Sequence, residues 1–164
     1  MSRIEILSVQ AQETNEADPA AAIERLALKL LAIREHARRE LARKLAARGF
    51  AEEDIDAALD RLVAEGSLDE VRLAEHYVAE RIGKGFGPLR IRGELREKGL
   101  EDDLIERALE PLRDEWPACL ADACDRRFGA EPPVDHAEYG RRARFLEQRG
   151  FPTDSIRRFL RWPD

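Results

Sequence analysis

Three glycines set the frame of this 164-residue chain. Gly49, Gly99 and Gly150 each follow a basic residue, Arg48, Lys98 and Arg149, and each precede an apolar one, Phe50, Leu100 and Phe151. With these glycines superposed, Leu45 falls on Leu95 and Leu146, Ile55 on Ile105 and Ile156, Leu59 on Leu109 and Leu160, and Leu62 on Leu112. A register kept at this many apolar positions, with a period of about fifty residues, is the signature of tandem structural repeats. It predicts one small folding unit copied three times.

The units read as helical. Apolar residues recur at spacings of three and four, as in Ile23, Leu26, Leu30 and Ile33, which predicts that these four share the buried face of one helix. Charged residues make up 38 % of the chain and aromatics 6 %, and the abundance of Ala, Leu, Arg and Glu favours helix over strand. Asp18 is placed to cap a first helix beginning at Pro19, and the polar run from Arg34 to His36 ends or bends it. A second helix over 37–48 carries Leu41 and Leu45 inward and closes at Gly49, where a left-handed C-cap costs glycine little. A third over 52–64 opens on Glu52, Glu53 and Asp54, whose charges suit a helix N-terminus, and ends at Gly66. The second unit has a leading helix over 69–82 with Leu73, Tyr77 and Val78 inward, the corner KGFGP, and a helix from Pro88 stopped by Gly99. In the third, a helix over 115–128 buries Trp116, Leu120, Ala123 and Phe128, and a GAEPPVD loop precedes a longer helix over 136–149. The expected fold is all-α: three tandem three-helix repeats over 19–66, 67–113 and 114–164, behind a flexible tail over 1–18. Because each repeat is small for a core of its own, neighbours must cover one another's apolar faces, which predicts an elongated, curved body.

Catalytic chemistry finds little support. Carboxylate pairs such as Glu52 with Asp56 and Asp102 with Glu106 lie on solvated helix starts, with no motif for a pocket that would shift a pKa. His36, His76 and His136 belong to different units and lack Cys or carboxylates at ligand spacing, so no metal is expected. Cys119 and Cys124, the only cysteines, make no disulfide framework and read as small residues of a reducing compartment. KGFGP clusters Lys84, Gly85 and Gly87 before a helix, yet it lacks the glycine spacing and Lys-Ser/Thr ending of a phosphate loop and follows a helix instead of a strand. Its glycines are better read as a helix end and a turn, with Phe86 plugging the corner and Pro88 in the first helical position. The chain therefore reads as a non-enzyme without cofactors. The start, MSRIEILSVQ, has no secretory apolar run and no later run has the length of a membrane span, so a cytoplasmic protein is expected.

Charge is more informative. A net charge of -6 argues against coating nucleic acid by bulk positive charge and leaves clustered patches as the route. The second helices are basic: Arg38, Arg39, Arg43, Lys44 and Arg48, then Arg90, Arg92, Arg96 and Lys98, then Arg141, Arg142, Arg144 and Arg149. The third helices of the first two units are acidic, and the third unit reverses this with Arg157, Arg158 and Arg161. Two of the three last helices would carry negative charge towards phosphate, which disfavours duplex reading by every repeat. Stripes of both signs suit a partner that is protein, or protein wrapped on nucleic acid. Arg48, Lys98 and Arg149 also have a plainer role as cations at helix C-termini.

Four stretches, REHARRELARKLAARGF, EGSLDEVRLAEHYVAER, KGFGPLRIRGELREKGL and RFLEQRGFPTDSIRRFL, resemble the RecX family of bacterial recombination regulators. The resemblance runs from about Ala20 to the C-terminus, and KGFGPxRIRxELxxKG is its specific part. It implies three tandem three-helix repeats that lie in the groove of the RecA filament on single-stranded DNA, inhibit its ATPase and strand exchange, and promote its disassembly. It transfers no catalytic motif. The contact residues expected are the basic positions in the matched helices: Lys84, Arg90, Arg92, Arg96, Lys98, Arg141, Arg142 and Arg144. The expected partner is the RecA filament bound by a monomer, with single-stranded DNA as a further candidate contact. The alternative is a DNA-binding module that acts through the basic second helices without RecA.

Overall fold

The structure is a computed structural model that describes residues 18–161. Of the tail expected over 1–18, all but Asp18 lies outside the described residues. The described residues form nine α-helices and no strand, and they fall into two compact units divided after Asp69.

The first unit holds α1 (Pro19–Ile33), α2 (Arg38–Ala46) and α3 (Glu52–Ala64). Asp18 caps α1 as its spacing predicts, its carboxylate accepting from the Ala20 N–H at 3.1 Å with Pro19 in the first turn. Ile23 and Ala27 of α1 meet Leu41 and Leu45 of α2 and Ile55, Leu59 and Leu62 of α3 in one core, closed by Leu68. Full burial of each such aliphatic side chain contributes about 1.5–3 kcal/mol. Ile33 departs from the expected face and is 80 % exposed. It is the last residue of α1, and Arg34 turns into extended backbone (φ −164°), so the chain leaves the helix before Ile33 has core to cover.

The second unit contains α4 (Glu70–Gly83), α5 (Pro88–Lys98), α6 (Asp102–Leu109), a 3-10 turn (Glu110–Leu112), α7 (Trp116–Phe128), α8 (His136–Arg149) and α9 (Thr153–Leu160). α4 to α6 pack as one three-helix group and bury Leu73, Val78, Ile91, Leu95, Ile105 and Leu109. α7 to α9 form another around Leu120, Cys124, Leu146, Phe151, Ile156 and Leu160. The repeat register survives in three dimensions: Leu45, Leu95 and Leu146 are fully buried, and Gly49, Gly99 and Gly150 take left-handed φ values of 89°, 96° and 91°. One expected match fails, since Leu112 is half-buried where Leu62 is fully buried. Pro111 has no N–H to continue α6, so the chain tightens into the 3-10 turn and carries Leu112 off the helix face. Both cysteines are free, Cys119 half-buried and Cys124 buried. No helix among the described residues is long and apolar enough to cross a membrane.

Candidate functional site

The stretch from Lys84 to Lys98 builds a junction within the second unit. α4 ends at Gly83, Gly85 turns the chain with φ of 79°, and Gly87 precedes α5 in extended backbone with Pro88 in the first turn. The N–H of Gly87 donates to the Arg149 carbonyl at 2.8 Å, and the N–H of Leu89 donates to the Gly150 carbonyl at 3.0 Å. Unsatisfied N–H groups opening α5 thus meet unsatisfied carbonyls closing α8, and the positive end of one helix dipole faces the negative end of the other. The approach requires glycine on both sides. A Cβ on Gly87 would lie 2.6 Å from the Gly150 carbonyl oxygen, and one on Gly150 would lie 2.5 Å from the Arg90 backbone nitrogen.

Phe86 plugs this corner, half-buried, with three guanidinium groups over its ring: Arg81 at 4.1 Å from the centroid, Arg90 at 4.6 Å and Arg149 at 4.7 Å. Glu94 balances this positive cluster through ion pairs with Arg81 and Arg90 and a hydrogen bond from the Tyr77 hydroxyl at 2.9 Å. Burial alone would raise the Glu94 pKa, but these three donors outweigh it and hold the carboxyl at about 2. Burial, and then the same carboxylate, pushes the Tyr77 phenol up to about 12.

Of the eight basic residues expected to face a partner, five lie at or beside this corner. Lys84 is ion-paired with Glu80, and Arg90 donates to the Gln148 carbonyl at 3.1 Å besides its pair with Glu94. Arg92 pairs with Glu106 at 2.6 Å and Arg96 with Asp102 at 2.6 Å, and the hydrogen bonds lower the pKa of both carboxyls. Lys98 lies over the Tyr77 ring at 4.8 Å. The basic face of α5 and the acidic start of α6 therefore neutralise each other and are not independent stripes. The first unit does the same, with Arg38 paired to Asp56 at 3.3 Å and Asp60 at 2.8 Å. Exposed pairs of this kind contribute only about 0–1 kcal/mol to stability.

Arg141 and Arg144 are exposed on α8, but Arg142 is 4 % exposed. The contact role expected of Arg142 is corrected accordingly, since it presents no surface to a partner. Its guanidinium donates to Glu138 at 2.6 Å and to the Glu131 carbonyl at 2.7 Å, and it lies 5.4 Å from the Phe128 ring centroid. Glu138 in turn accepts from the Val134 N–H at 3.0 Å, while Asp135 caps α8 by accepting from the Glu138 N–H at 2.7 Å. Arg142 thus ties the loop before α8 to the helix. The repeat register carries the signal that a basic-stripe reading overlooks: Arg142 occupies the position of Leu41 and Ile91, both fully buried.

The corresponding corner of the first unit runs from Arg34 to Ala37, with His36 in the position of Phe86. His36 is 2 % exposed, Lys44 Nζ donates to its Nε2 at 2.9 Å, and its Nδ1 faces the Arg34 carbonyl at 2.9 Å. A neutral ring with its proton on Nδ1 satisfies both contacts. Burial lowers the His36 pKa. Glu40 completes the network through ion pairs with Arg34 and, at 3.1 Å, Lys44; burial opposes its charge, but the two hydrogen bonds prevail and hold it at about 2.

Family models match the chain in three consecutive segments: "RecX, first three-helix domain" at residues 24–62, "RecX, second three-helix domain" at 69–109 and "RecX, third three-helix domain" at 114–160. The Regulatory protein RecX of Pseudomonas syringae pv. tomato is 49 % identical over 143 residues, covering 87 % of this chain and 92 % of the relative. That of Pseudomonas putida (strain GB-1) is 44 % identical with the same coverage. The crystal structure of RecX from Lactobacillus salivarius superposes with a TM-score of 0.74 at 24 % identity, covering 88 % of this chain and 96 % of that one. A second crystal structure of a regulatory protein RecX gives 0.71 at 22 % identity, covering 98 % and 78 %. The glycine-capped repeats, the helix order and these matches agree: the chain belongs to the RecX family of regulatory proteins.

Proposed function

We propose that the chain regulates the RecA recombinase by binding its filament on single-stranded DNA, lowering ATP hydrolysis and strand exchange and promoting filament disassembly. The observation that carries this reading is the ordered match of all three RecX domains, together with relatives named Regulatory protein RecX. The chain acts in the cytoplasm as a monomer and by binding, with no catalytic step of its own. To drive a filament towards dissociation it must bind the inactive arrangement more tightly than the active one.

The charge arrangement supports a partner of mixed sign. A filament surface carrying both charges can re-pair both Arg96 and Asp102 when their mutual bond opens, whereas phosphate would satisfy the arginine and repel the aspartate. That asymmetry weighs against DNA binding through the basic second helices alone. Arg141 and Arg144 are exposed and make no ion pair among the described residues, which leaves them the members of the expected contact set best placed to reach a partner, with Lys84, Arg90, Arg92, Arg96 and Lys98 available through exchange of their present contacts. Replacing Arg96, Arg141 and Arg144 together by Glu should weaken binding to RecA filaments roughly tenfold or more while the circular dichroism spectrum stays helical. Unchanged binding by a folded triple variant would remove these residues from the contact.

A further inference from the structure

A hollow of about 160 Å³ in the second unit, beside the end of α4 and between α7 and α8, is lined by four cations, three of which no carboxylate described above pairs. Lys84, Arg126, Arg127 and Arg149 line it, with Phe145 as an apolar wall. Lys84 is paired with Glu80, but Arg126, Arg127 and Arg149 make no ion pair with a carboxylate among the described residues. This sets them apart from Arg92 and Arg96, which α6 neutralises.

The arginines are held in place without using up their charge. Arg126 donates to the Gly83 carbonyl at 3.0 Å and Arg149 to the Lys84 carbonyl at 2.8 Å, so the carbonyls ending α4 anchor both. Arg149 also lies over the Phe86 and Phe145 rings at 4.7 and 5.0 Å, and Arg127 over the Phe128 ring at 5.3 Å. A guanidinium carries five N–H donors, and these bonds leave donors on every one of the three. Side chains fixed in advance lose less entropy when a ligand arrives.

We propose that this hollow binds a phosphate group of a single-stranded DNA backbone directly, without RecA. Guanidinium groups match the oxygen geometry of phosphate, and several of them around one concavity suit an anion with several acceptor oxygens. The aromatic wall beside the cations is the combination that follows a single strand, with the backbone on the charges and a sugar or base on the apolar surface. The proposal concerns bare DNA and does not depend on the filament reading. A chain that binds DNA through this hollow but leaves RecA untouched would sink that reading and keep this one.

The test is fluorescence anisotropy of a labelled oligodeoxythymidine titrated with the full chain, in the absence of RecA, across a salt series. Arg127→Ala removes no hydrogen bond seen in the structure, and Lys84→Ala removes only a surface pair, so both variants should fold, as circular dichroism melting will check. Each should weaken binding roughly tenfold and flatten the slope of log affinity against log salt by about 1. Lys29→Ala, which removes an exposed cation of the first unit, should leave affinity and slope as they were. The proposal is overturned if the unmodified chain does not bind at low salt, if the two hollow variants keep full affinity, or if Lys29→Ala loses as much as they do. Competition by polyglutamate as effective as that by unlabelled oligonucleotide of equal charge would also overturn it, assigning the hollow to an acidic protein segment.

Discussion

His36 and Phe86 stand at the same position of two successive repeats, between the first and second helix, and both close the corner there. In the first repeat the plug is a buried, neutral imidazole held by Lys44 and the Arg34 carbonyl, with Glu40 binding the surrounding cations together. In the second it is an aromatic ring under three guanidinium groups, and the glycine beside it lets α5 meet the end of α8 backbone to backbone. Ala37 occupies the position of Gly87 and carries the methyl group that Gly87 cannot. The repeat keeps a plug at the same register position, while both the backbone turn and the chemistry around it change: Gly85 takes φ of 79°, whereas Glu35 at the equivalent position has no positive φ and Arg34 is extended. One copy is a titratable polar cluster, the other the place where the start of α5 docks on the end of α8.

The largest effect expected is at Gly150. Gly150→Ala forces a side chain into φ of 91° and sets a Cβ 2.5 Å from the Arg90 backbone nitrogen, so it should cost about 4 kcal/mol in denaturant unfolding. Gly49→Ala meets a similar φ of 89° with nothing within 4 Å, and should cost only about 1–2 kcal/mol. Equal losses would mean that the close approach at the second corner contributes nothing. Phe86→Ala comes next, at about 3 kcal/mol, because it empties the corner and strands three arginines that share one ring. A loss below about 1 kcal/mol, the size of an ordinary surface change, would show that the plug is not structural.

The smallest effect separates the corners by pH. Burial holds the His36 pKa below 6.5, so the folded state favours the neutral ring. Its contribution is complete above the unfolded pKa of about 6.5 and is lost as pH falls from there through the folded value. A proton on His36 would also face Lys44 and Arg34, with Glu40 alone opposing them. The stability of the first unit should therefore decline as pH falls below about 7, and His36→Gln should remove that decline. Glu40 and Glu94, both held at about 2, act in a lower window: their contributions are full above the ordinary carboxyl range and fade as pH falls towards 2. Those losses fall on both corners, so a difference that appears only below about pH 4 would contradict the role given to His36.

Much of the fold was legible because helix ends obey local rules. α3 spans the residues that its opening acids and the following Gly66 predict, α8 those between the GAEPPVD loop and Gly150, and the apolar register marks the core of every repeat. It failed where one residue changed the local rule, as Pro111 did for Leu112 and the extended turn at Arg34 did for Ile33. The site was less legible. Basic residues are visible in a sequence, but the pairing of Arg92 with Glu106 and of Arg96 with Asp102 exists only because α5 and α6 lie side by side. Nothing in the sequence singles out Arg126 and Arg127, which sit on a leading helix outside the basic second helices, and only packing brings them beside Lys84 and Arg149. Arg142 could have been found, since the register assigns it an apolar slot.

ATP hydrolysis by RecA on single-stranded DNA, followed as the purified chain is added, tests the regulatory role most directly. Turnover should fall with concentration and level off at a low value as the filament saturates. Undiminished turnover at saturating concentrations of the folded chain would contradict inhibition of RecA as its function.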